Sequence, residues 1–396
     1  MPLVDNIYDV AVVGAGFSGC NLALNVLNED DFNICLIEMK DVENEANVGK
    51  LCCSGLVSKR FMELYEGKVK RKIKGLVENE IKGCKFFPFS FPKNSLFLSH
   101  SSTGSIKSPE AYVFNRKELD KLFFFEVRDK VDLFSNFCFV DGRKTNSGLV
   151  KIKLRKVFEN EEVFLKAKAL AGCDGVNSKV REVFSLSKGL LKIIDAGIVR
   201  FRFDGLKGME NNGIVHFIKW DKAKGFFAWR IPINEESLEL GLGVERKAFN
   251  ETNAGKVKTL LKELSNFYGL DFGKGEVCFH PICYGELERT ALGNVLLIGD
   301  AALQVKPFSG GGIIYSAISS KIASQVLVSF LRSELNDLSI YDDLWKKELL
   351  WPIREGLMFR RVFDFLSEED FCEVLKSLRR EEDFCEVANH LDMDFL

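Results

Sequence analysis

A strand, a glycine turn and a helix follow one another near the start of the chain, and this order restricts the fold more than any other feature. Residues 9–28 read DVAVVGAGFSGCNLALNVLN. The valine-rich beginning is typical of a buried parallel strand, and the end has the apolar spacing of a helix. Between them, Gly14, Gly16 and Gly19 form the pattern G-x-G-x-x-G. This arrangement predicts an α/β domain of the Rossmann type.

The same stretch predicts a dinucleotide site. In such turns the first glycine makes the bend, the second lets a pyrophosphate approach, and the third lets helix pack on strand. The helix N-terminus offers free N–H groups to phosphates. A second strand, NICLIE, ends at Glu38, 19 residues after Gly19, where a carboxylate can bind a ribose diol. The alternative is a glycine turn followed by a surface glutamate.

Composition sets broader limits. The chain has 396 residues, 46% of them hydrophobic and 28% charged, which predicts a globular protein of two or three structural units. The net charge of −2 gives no basic face for nucleic acid. The 35 phenylalanines indicate large apolar surfaces, which belong either to the core or to a channel for an apolar ligand.

Targeting and metal signals are weak. The N-terminal residues run straight into a strand without a signal peptide, and no apolar run approaches the roughly 18–20 residues of a membrane span. We therefore expect a cytoplasmic protein, with contact at the inner membrane surface left open.

The eleven cysteines are expected to be free thiols. Cys278, His280 and Cys283 lie close in sequence, but they lack a second pair of ligands, so no metal site is predicted.

Three later segments complete the pattern. They are VFNRKELDKLFF at 113–124, LAGCDGVNSKVRE at 170–182 and GDAALQVKPFSGGGI at 299–313. In the first, Arg116 precedes a helix with Asp120 on its first turn. The second is an apolar strand followed by Asp174. In the third, Asp300 ends a buried strand, and a proline, three glycines and a helix follow.

These marks, together with the N-terminal turn, resemble the flavin-dependent oxidoreductases with the p-hydroxybenzoate hydroxylase fold. The resemblance implies FAD as the cofactor. It places Asp300 on the ribityl chain and the backbone of Gly311, Gly312 and Ile313 beside the flavin ring. Glycines remove side chains where a planar ring must lie against backbone, and the dipole of the following helix can stabilise negative charge there.

The wording of three segments is similar to the archaeal and plant geranylgeranyl reductase family. The segments are QVKPFSGGGI at 304–313, KLCCSGLVSKR at 50–60 and KGFFAWRIP at 224–232. The family pattern of the last segment has Pro, Tyr and Phe where this chain has Lys224, Phe227 and Ile231. Trp229 and Pro232 are kept.

The resemblance implies a set of site residues. The cofactor-binding positions are Gly14, Gly16, Ser18, Gly19, Glu38, Cys52, Cys53, Gly55, Arg116, Val140, Asp174, Asp300, Gly311, Gly312 and Ile313. The substrate-binding positions are Phe227, Trp229 and Pro232. Cys52 and Cys53 are also the candidate catalytic residues, because either thiol, or an ordered water, could supply a proton.

The activity that the resemblance implies is FAD-dependent saturation of geranylgeranyl C=C bonds in archaeal-type membrane lipid precursors. The chain shows no second dinucleotide fingerprint and no iron–sulfur cysteine spacing. An external electron donor is therefore expected, either a ferredoxin or a reduced nicotinamide. A flavin-dependent monooxygenase or halogenase of the same fold and a non-catalytic FAD-binding redox protein remain alternatives, as does an NAD-binding dehydrogenase.

The predicted organisation is discontinuous. The FAD-binding domain covers 1–78, 111–182 and 284–330; an inserted, mainly antiparallel β substrate domain covers 79–110 and 183–283; a helical C-terminal region covers 331–396. That last region repeats SEEDFCEV (367–374) as REEDFCEV (380–387), which predicts two amphipathic helix starts.

Overall fold

The computed structural model describes residues 3–49, 52–99, 111–159, 161–203, 213–247 and 252–377, and within these the strands form three sheets. The strands are β1 (Leu3–Val13), β2 (Ile34–Glu38), β3 (Leu56–Ser58), β4 (Val77–Ile81), β5 (Gly83–Pro88), β6 (Leu96–Ser99), β7 (Ala111–Phe114), β8 (Asp132–Ser135), β9 (Phe137–Lys144), β10 (Val150–Lys156), β11 (Glu162–Gly172), β12 (Gly189–Arg202), β13 (Ile214–Lys219), β14 (Ala228–Asn234), β15 (Ser237–Glu245), β16 (Glu276–Leu287), β17 (Ala291–Leu292) and β18 (Val295–Leu297). The helices are α1 (Phe17–Leu27), α2 (Arg60–Glu63), α3 (Gly67–Lys74), α4 (Arg116–Val127), α5 (Lys179–Val183), α6 (Ala254–Phe267), α7 (Ile313–Leu331), α8 (Ile340–Phe365) and α9 (Glu368–Ser377). Short 3₁₀ turns cover Glu45–Asn47, Arg128–Lys130, Phe272–Lys274 and Gly299–Ala302.

The first sheet has the order β17-β18-β11-β1-β2-β8, and its members from β18 to β8 run parallel. Alternate residues of β1 enter two different cores. Val10 and Val12 belong to the core that contains α1 and α7, whereas Ala11 and Val13 belong to the core under β9 and β10. Burial on both faces explains why this strand is almost continuously apolar.

The parallel strands bring the predicted motifs to one edge of this sheet. Glu38 ends β2, Gly14 follows β1, Asp174 follows β11 and Gly299 follows β18. Ligands of open α/β sheets bind outside the carboxyl ends of the strands. The edge therefore collects segments that lie far apart in the sequence.

The second sheet has the order β16-β12-β15-β14-β13-β5-β6 and is antiparallel except for the β13–β5 pair. One face carries an aromatic core that includes Phe86, Phe217 and Trp229. The other face packs against α6 through residues such as Leu240 and Leu261. The third sheet, β3-β7-β4, lies along the chain next to the cysteine-containing segment. This architecture confirms the predicted α/β class, with a Rossmann-like unit, a mainly antiparallel sheet and a helical C-terminal part.

Helix α7 is the central helix of the first core. Its most apolar 18-residue window has a mean hydropathy of 1.3, so by length and composition it could cross a membrane. This corrects the expectation that no apolar segment reaches that length. However, 67% of the window is buried inside the protein, where α7 packs against α1 and α8. Its apolar character is explained by burial on nearly all sides.

Several of the predicted domain boundaries fall inside continuous elements, and the division into domains stays a prediction. Position 78/79 lies within β4, position 182/183 lies within α5, and position 283/284 lies within β16, whose pairing with β12 continues to Leu287. The first repeat copy forms the start of α9, where the buried Glu368 accepts hydrogen bonds from the backbone N–H groups of Ser90 (2.5 Å) and Asp221 (3.2 Å). The second copy, at 380–387, lies outside the described residues.

Candidate functional site

The glycine turn after β1 is held by close backbone contacts. Gly14 has φ +103°, its N–H donates to Ile37 O at 2.7 Å, and a Cβ there would lie 2.4 Å from Cys173 O. A Cβ on Gly19 would lie 1.9 Å from Gly14 O. A side chain at either position would clash with backbone, so these two glycines are required by the fold itself.

Gly16 differs from its two neighbours in the motif. A Cβ at this position would meet nothing within 4 Å. Gly16 is also the N-cap of α1, where no side chain caps the helix and no acid lies in the first turn. The helix therefore presents uncapped N–H groups to open space, which is the arrangement that binds phosphate.

Glu38 lies directly beside this turn. Its Oε2 accepts a hydrogen bond from Ala15 N–H at 2.8 Å, and its Oε1 accepts one from Lys40 N–H at 3.0 Å. These bonds fix the half-buried carboxylate at the end of β2. A carboxylate oxygen has two lone pairs, so Glu38 can still accept from a ribose hydroxyl.

The segment after β18 closes the same edge. A Cβ on Gly299 would lie 2.4 Å from Ser18 Oγ and 2.9 Å from Ser316 Oγ, so α1 and α7 begin against this turn. The Asp300 carboxylate faces the start of α7, 3.2 Å from the place of a Cβ on Gly312. In the described part of the chain, no group donates a hydrogen bond to that carboxylate.

The loop before α7 is closed by its own backbone and by α8. Lys306 N–H donates to Gly311 O and Gly310 N–H donates to Lys306 O, each at 2.9 Å. Gly312 is the N-cap of α7 and has no side-chain cap. From α8, Arg360 donates to the carbonyls of Pro307, at 3.0 and 3.1 Å, and Phe308.

Arg360 is a buried cation that has no carboxylate in direct contact among the residues that the structure describes. It is 2% exposed and its guanidinium lies 4.3 Å from the ring centre of Phe226 and 5.2 Å from that of Phe308. Burial lowers the pKa of Arg360 to about 10, although Asp364 opposes this change, so the side chain stays charged at neutral pH. Carbonyls and aromatic faces therefore take the place of a counter-ion.

Arg116 stands at the start of α4 and forms an ion pair with Asp120, with Nη2 and Oδ1 2.7 Å apart. Burial opposes the charge of Arg116, but the carboxylate of Asp120 outweighs it, and the pKa of Arg116 is raised. Cys53 and Asp300 lie close enough to contribute to that rise. The structure thus brings Arg116 to the edge of the sheet with the cysteine-containing segment.

That segment is held from two sides. A Cβ on Gly55 would lie 2.0 Å from Phe114 O, so the chain passes tightly over β7. From β12, Arg200 Nη2 donates to Cys53 O at 2.5 Å. Cys52 packs against the aromatic core of the second sheet. The cysteine-containing segment therefore lies between the third sheet and the second sheet.

A polar chain connects this segment to the aromatic core. Arg200 Nε donates to Glu239 Oε2 at 3.0 Å, and Trp229 Nε1 donates to Glu239 Oε1 at 3.1 Å. Glu239 is fully buried, and burial raises its pKa while Arg200 and Trp229 oppose that rise. Burial acts against the charge of Arg200, but the charge of Glu239 prevails and raises the pKa of the guanidinium.

Of the predicted substrate residues, Trp229 and Pro232 lie in β14 of the second sheet, and Phe227 directly precedes that strand. Phe227 and Trp229 have their ring centres 5.9 Å apart, and both are at least nine-tenths buried. The Phe227 ring also stacks on Phe308, which belongs to the loop before α7, at 6.1 Å. Pro232 is buried, and its carbonyl accepts a hydrogen bond from Asn79 Nδ2 at 2.9 Å. Phe227 and Trp229 thus share one apolar layer with the glycine loop.

Two predicted cofactor residues are engaged elsewhere. Asp174 binds its own following helix, since it accepts from Ser178 Oγ at 2.5 Å and from Lys179 N–H at 2.7 Å. Burial raises the pKa of Asp174, against these hydrogen bonds. Val140 is half-buried in β9, at an irregularity in the pairing with β10. A cofactor contact for either residue stays a prediction.

The geometry of this edge of the parallel sheet fits a dinucleotide cofactor. The N-termini of α1 and α7 are uncapped, Gly16 leaves open space in front of α1, and the Asp300 carboxylate has an unused accepting capacity. Two helix N-termini can bind the anionic parts of a ligand, and a carboxylate can bind its hydroxyl groups.

Comparison with known proteins identifies the cofactor. Residues 109–333, more than half of the chain, match the family described as FAD binding domain. The chain belongs to this family. FAD is therefore its cofactor. That it binds at the edge around Gly16, Asp300 and Gly312 stays a prediction. The protein is a member of the FAD-dependent oxidoreductases.

Individual relatives of this FAD-binding chain indicate a more specific family among the FAD-dependent oxidoreductases. It is 28% identical over 406 residues to an uncharacterized protein of Methanocaldococcus jannaschii, covering 98% of this chain and 92% of the relative. It is 30% identical over 208 residues to digeranylgeranylglycerophospholipid reductase 2 of Methanothermobacter thermautotrophicus, covering 52% and 53%. A geranylgeranyl bacteriochlorophyll reductase-like protein of Thermoplasma acidophilum shares the fold, with a TM-score of 0.79 at 21% identity over 95% and 91% of the two chains. The predicted resemblance to the geranylgeranyl reductase family is confirmed.

Sequence reasoning missed three residues of this FAD-binding protein's site, namely Arg200, Glu239 and Arg360. Glu239 and Arg200 lie in strands where apolar and charged residues alternate, and that pattern alone assigns charges to solvent. Arg360 lies in a helix with several other charged residues. Only the pairing of strands and helices shows that these three side chains point inward.

Proposed function

We propose that this FAD-dependent oxidoreductase saturates C=C bonds in the geranylgeranyl chains of archaeal-type membrane lipid precursors. The name of a relative, digeranylgeranylglycerophospholipid reductase, supports this substrate class. The observation that carries the proposal is the direct contact between the cofactor loop and an aromatic layer. A Cβ on Gly310 would lie 3.2 Å from both Ile282 and Phe226, and Phe308 stacks on Phe227.

The aromatic layer suits a long apolar chain. Bound FAD, once reduced, supplies a hydride to one carbon of the double bond. The protein must then bind an apolar chain, exclude water and hold one double bond beside the cofactor. The rings of Phe227 and Trp229 pack edge to face and form an apolar surface, and the indole N–H of Trp229 donates to Glu239. Trp229 therefore presents only its apolar part to the layer.

The second carbon needs a proton, and we propose Cys53 or Cys52 as its source, with an ordered water as the alternative. Cys52 contacts the aromatic core, and the carbonyl of Cys53 is fixed by Arg200. If both Cys52→Ala and Cys53→Ala keep full turnover, a water supplies the proton and the thiols only pack. A loss of turnover in one variant, with normal FAD binding, supports that thiol.

The electron donor and the location are part of the same proposal. We propose an external donor, either a ferredoxin or a reduced nicotinamide, and a protein of the cytoplasm that works at the inner membrane surface. The two donors can be separated by following flavin bleaching under anaerobic conditions with each one in turn.

One anaerobic assay tests the proposal. The purified protein is checked for FAD absorbance, reduced with dithionite, and mixed with geranylgeranylated glycerophospholipid. Flavin reoxidation with a product mass gain of two hydrogens per step supports the reductase. Flavin that stays reduced until oxygen is admitted would instead favour a monooxygenase, a halogenase or a non-catalytic redox protein. As a control, Trp229→Phe removes the bond to Glu239 and should lower turnover without lowering FAD content.

A further inference from the structure

Helix α8 carries an exposed apolar stripe along its whole length. The members of this outer stripe are Ile340, Leu344, Trp351, Met358, Val362 and Phe365. At about 100° per residue, all six point to one side of the helix. Their exposure is high for such residues, with Trp351 at 69%, Met358 at 60% and Phe365 at 89%. Charged residues stand between Leu344, Trp351 and Met358 along the stripe, so it is a row of apolar side chains interrupted by charges. A row of exposed apolar side chains of this kind indicates an interaction surface.

The opposite side of α8 is fully employed in the fold. Trp345, Leu349 and Ile353 are buried in the core that contains α7. Phe359 and Phe363 pack against the aromatic core that holds Phe227 and Trp229. The outer stripe is therefore not needed for the packing of α8. The helix connects the surface of the protein to the layer proposed to bind the apolar chain.

Charges border the stripe in an ordered way. Lys347, Arg354 and Arg361, spaced seven residues apart, lie on one flank, and Glu348 and Glu355 lie on the other. A surface groove of about 500 Å³ adjoins the basic flank. Its lining combines apolar and charged side chains, which are those of Leu190, Glu286, Glu288, Arg354, Leu357, Met358 and Arg361. Two of these charged side chains form an ion pair with each other, since Arg354 Nη2 lies 2.7 Å from Glu286 Oε1.

We propose that the outer stripe docks on a membrane surface that contains anionic lipid. A helix that lies in the interface buries an apolar face to a depth of roughly 5–10 Å, favours tryptophan near the headgroups, and gains from nearby Lys and Arg. Trp351 and the basic flank meet these conditions. This inference gives the proposed lipid reductase a route to its substrate and in that sense rests on the proposed function.

The tryptophans of this chain provide a specific probe. Trp220, Trp229 and Trp345 are all buried, so the exposed Trp351 dominates the red-shifted part of the emission. The holoprotein is titrated with vesicles of phosphatidylglycerol and phosphatidylcholine, without electron donor. A blue shift in wild type that is absent from Trp351→Phe is expected, together with sedimentation of both proteins with the vesicles. Resting protein is used so that docking is measured independently of turnover.

Variants of exposed residues test the surface without disturbing the fold. The double variant Met358→Ser/Phe365→Ser should weaken vesicle binding about tenfold or more, because two large apolar contacts are lost. Lys347→Glu and Arg361→Glu should each weaken it roughly fivefold, and the effect should fade at high salt. Matched controls are Phe158→Ser for the apolar change and Lys256→Glu for the charge change, since both residues are exposed on other elements.

Several results would overturn the inference. One is wild type that ignores vesicles of every composition. Another is a Trp351 emission that depends on protein concentration, together with a doubled mass in light scattering. That result would show that a second copy of the chain covers the stripe. A third is a Trp351 emission that is blue-shifted without vesicles and shifts to the red in a chain ending at Ser377, which would show that residues 378–396 cover the stripe. Failure of docking with intact reduction of detergent-dissolved lipid would reject this inference alone.

Discussion

The FAD side and the aromatic side of the site are built in different ways. On the FAD side, the turn after β1 is closed locally, since Gly19 approaches the carbonyl of Gly14, five residues earlier, within one strand–turn–helix unit. On the aromatic side they are long-range: Arg200 holds Cys53, 147 residues away, and Arg360 holds Pro307, 53 residues away. The cofactor side therefore depends on a motif, whereas the substrate side depends on how sheets and helices pair.

This difference has consequences for substitution. A local motif fails at single glycine positions, because a side chain there meets backbone that cannot move far. A long-range arrangement fails through its connecting side chains, because each of them joins two elements. Single substitutions can therefore separate these two kinds of failure.

Gly19→Ala should damage the fold itself. The new methyl group would lie 1.9 Å from Gly14 O, and only movement of α1 away from β1 can relieve this clash. We expect the free energy of unfolding to fall by about 3 kcal/mol, measured by denaturant titration of the apoprotein. Gly255→Ala in α6 is the matched control, since its Cβ meets nothing within 4 Å and stability should stay equal or rise slightly. Equal stability of both variants would remove the claim that this turn is closed by steric contact.

Arg360→Met should loosen the cofactor loop from the aromatic side. The change leaves the carbonyls of Pro307 and Phe308 without their buried donor, at a cost of about 2 kcal/mol in unfolding free energy. It should also weaken FAD binding, because the loop continues to the N-cap of α7. Arg360→Lys should recover little, since an ammonium group cannot reproduce the planar fork of the guanidinium. The measurements are FAD dissociation by fluorescence and thermal unfolding, with the exposed Arg361→Met as control. Normal FAD affinity in Arg360→Met would show that the loop holds its shape alone.

The contrast explains what the sequence can predict. The glycine turn, Glu38, Asp300 and the glycine-rich start of α7 follow from short patterns whose partners are neighbours in sequence or ends of parallel strands. The α/β class follows from the same patterns. Arg200 and Glu239 could not be found this way, because alternation in a strand does not say which face of the sheet is covered. Arg360 could not be found because it lies in a helix with several other charged residues. The motif also does not predict that the Asp174 carboxylate accepts hydrogen bonds from the start of α5, and its contact with the cofactor stays a prediction.

Acid should weaken the second sheet before the first. In the described chain, His216 and His280 both lie in the second sheet. Burial, with smaller contributions from Arg230 and Lys85, lowers the pKa of His216 to about 3, and its Nδ1 lies 2.8 Å from Tyr268 Oη. The unfolded chain, with a pKa of about 6.5, takes up the proton first. The contribution of His216 to stability is therefore complete above pH 6.5 and is lost as the pH falls toward 3.

Substitution of His216 tests whether its titration lowers stability in acid. Between pH 7 and pH 5 the wild-type unfolding free energy should fall by about 1 to 2 kcal/mol from this group alone. His216→Asn retains a hydrogen-bonding group near Tyr268 but does not titrate, so its curve should be flatter over the same range. The measurement is urea unfolding at each pH. Parallel curves for the two proteins would place the acid sensitivity elsewhere in the molecule.

Gly16→Ala should affect FAD without affecting the fold, and it gives the sharpest test of the cofactor side. Gly16 has φ −76° and ψ −175°, which alanine adopts without strain, and its Cβ would meet no protein atom within 4 Å. The apoprotein should lose at most about 1 kcal/mol, the usual difference between Gly and Ala at an N-cap. The methyl group would, however, fill the space in front of the uncapped N–H groups of α1, where phosphates bind. We expect FAD affinity to fall by about tenfold or more. Titration of the apoprotein with FAD measures this affinity. Gly19→Ala is the comparison, because it should lower the stability of the fold itself. If Gly16→Ala keeps wild-type affinity, the pyrophosphate does not pass over this glycine, and Gly14 and Gly19 serve the packing of α1 on β1 alone.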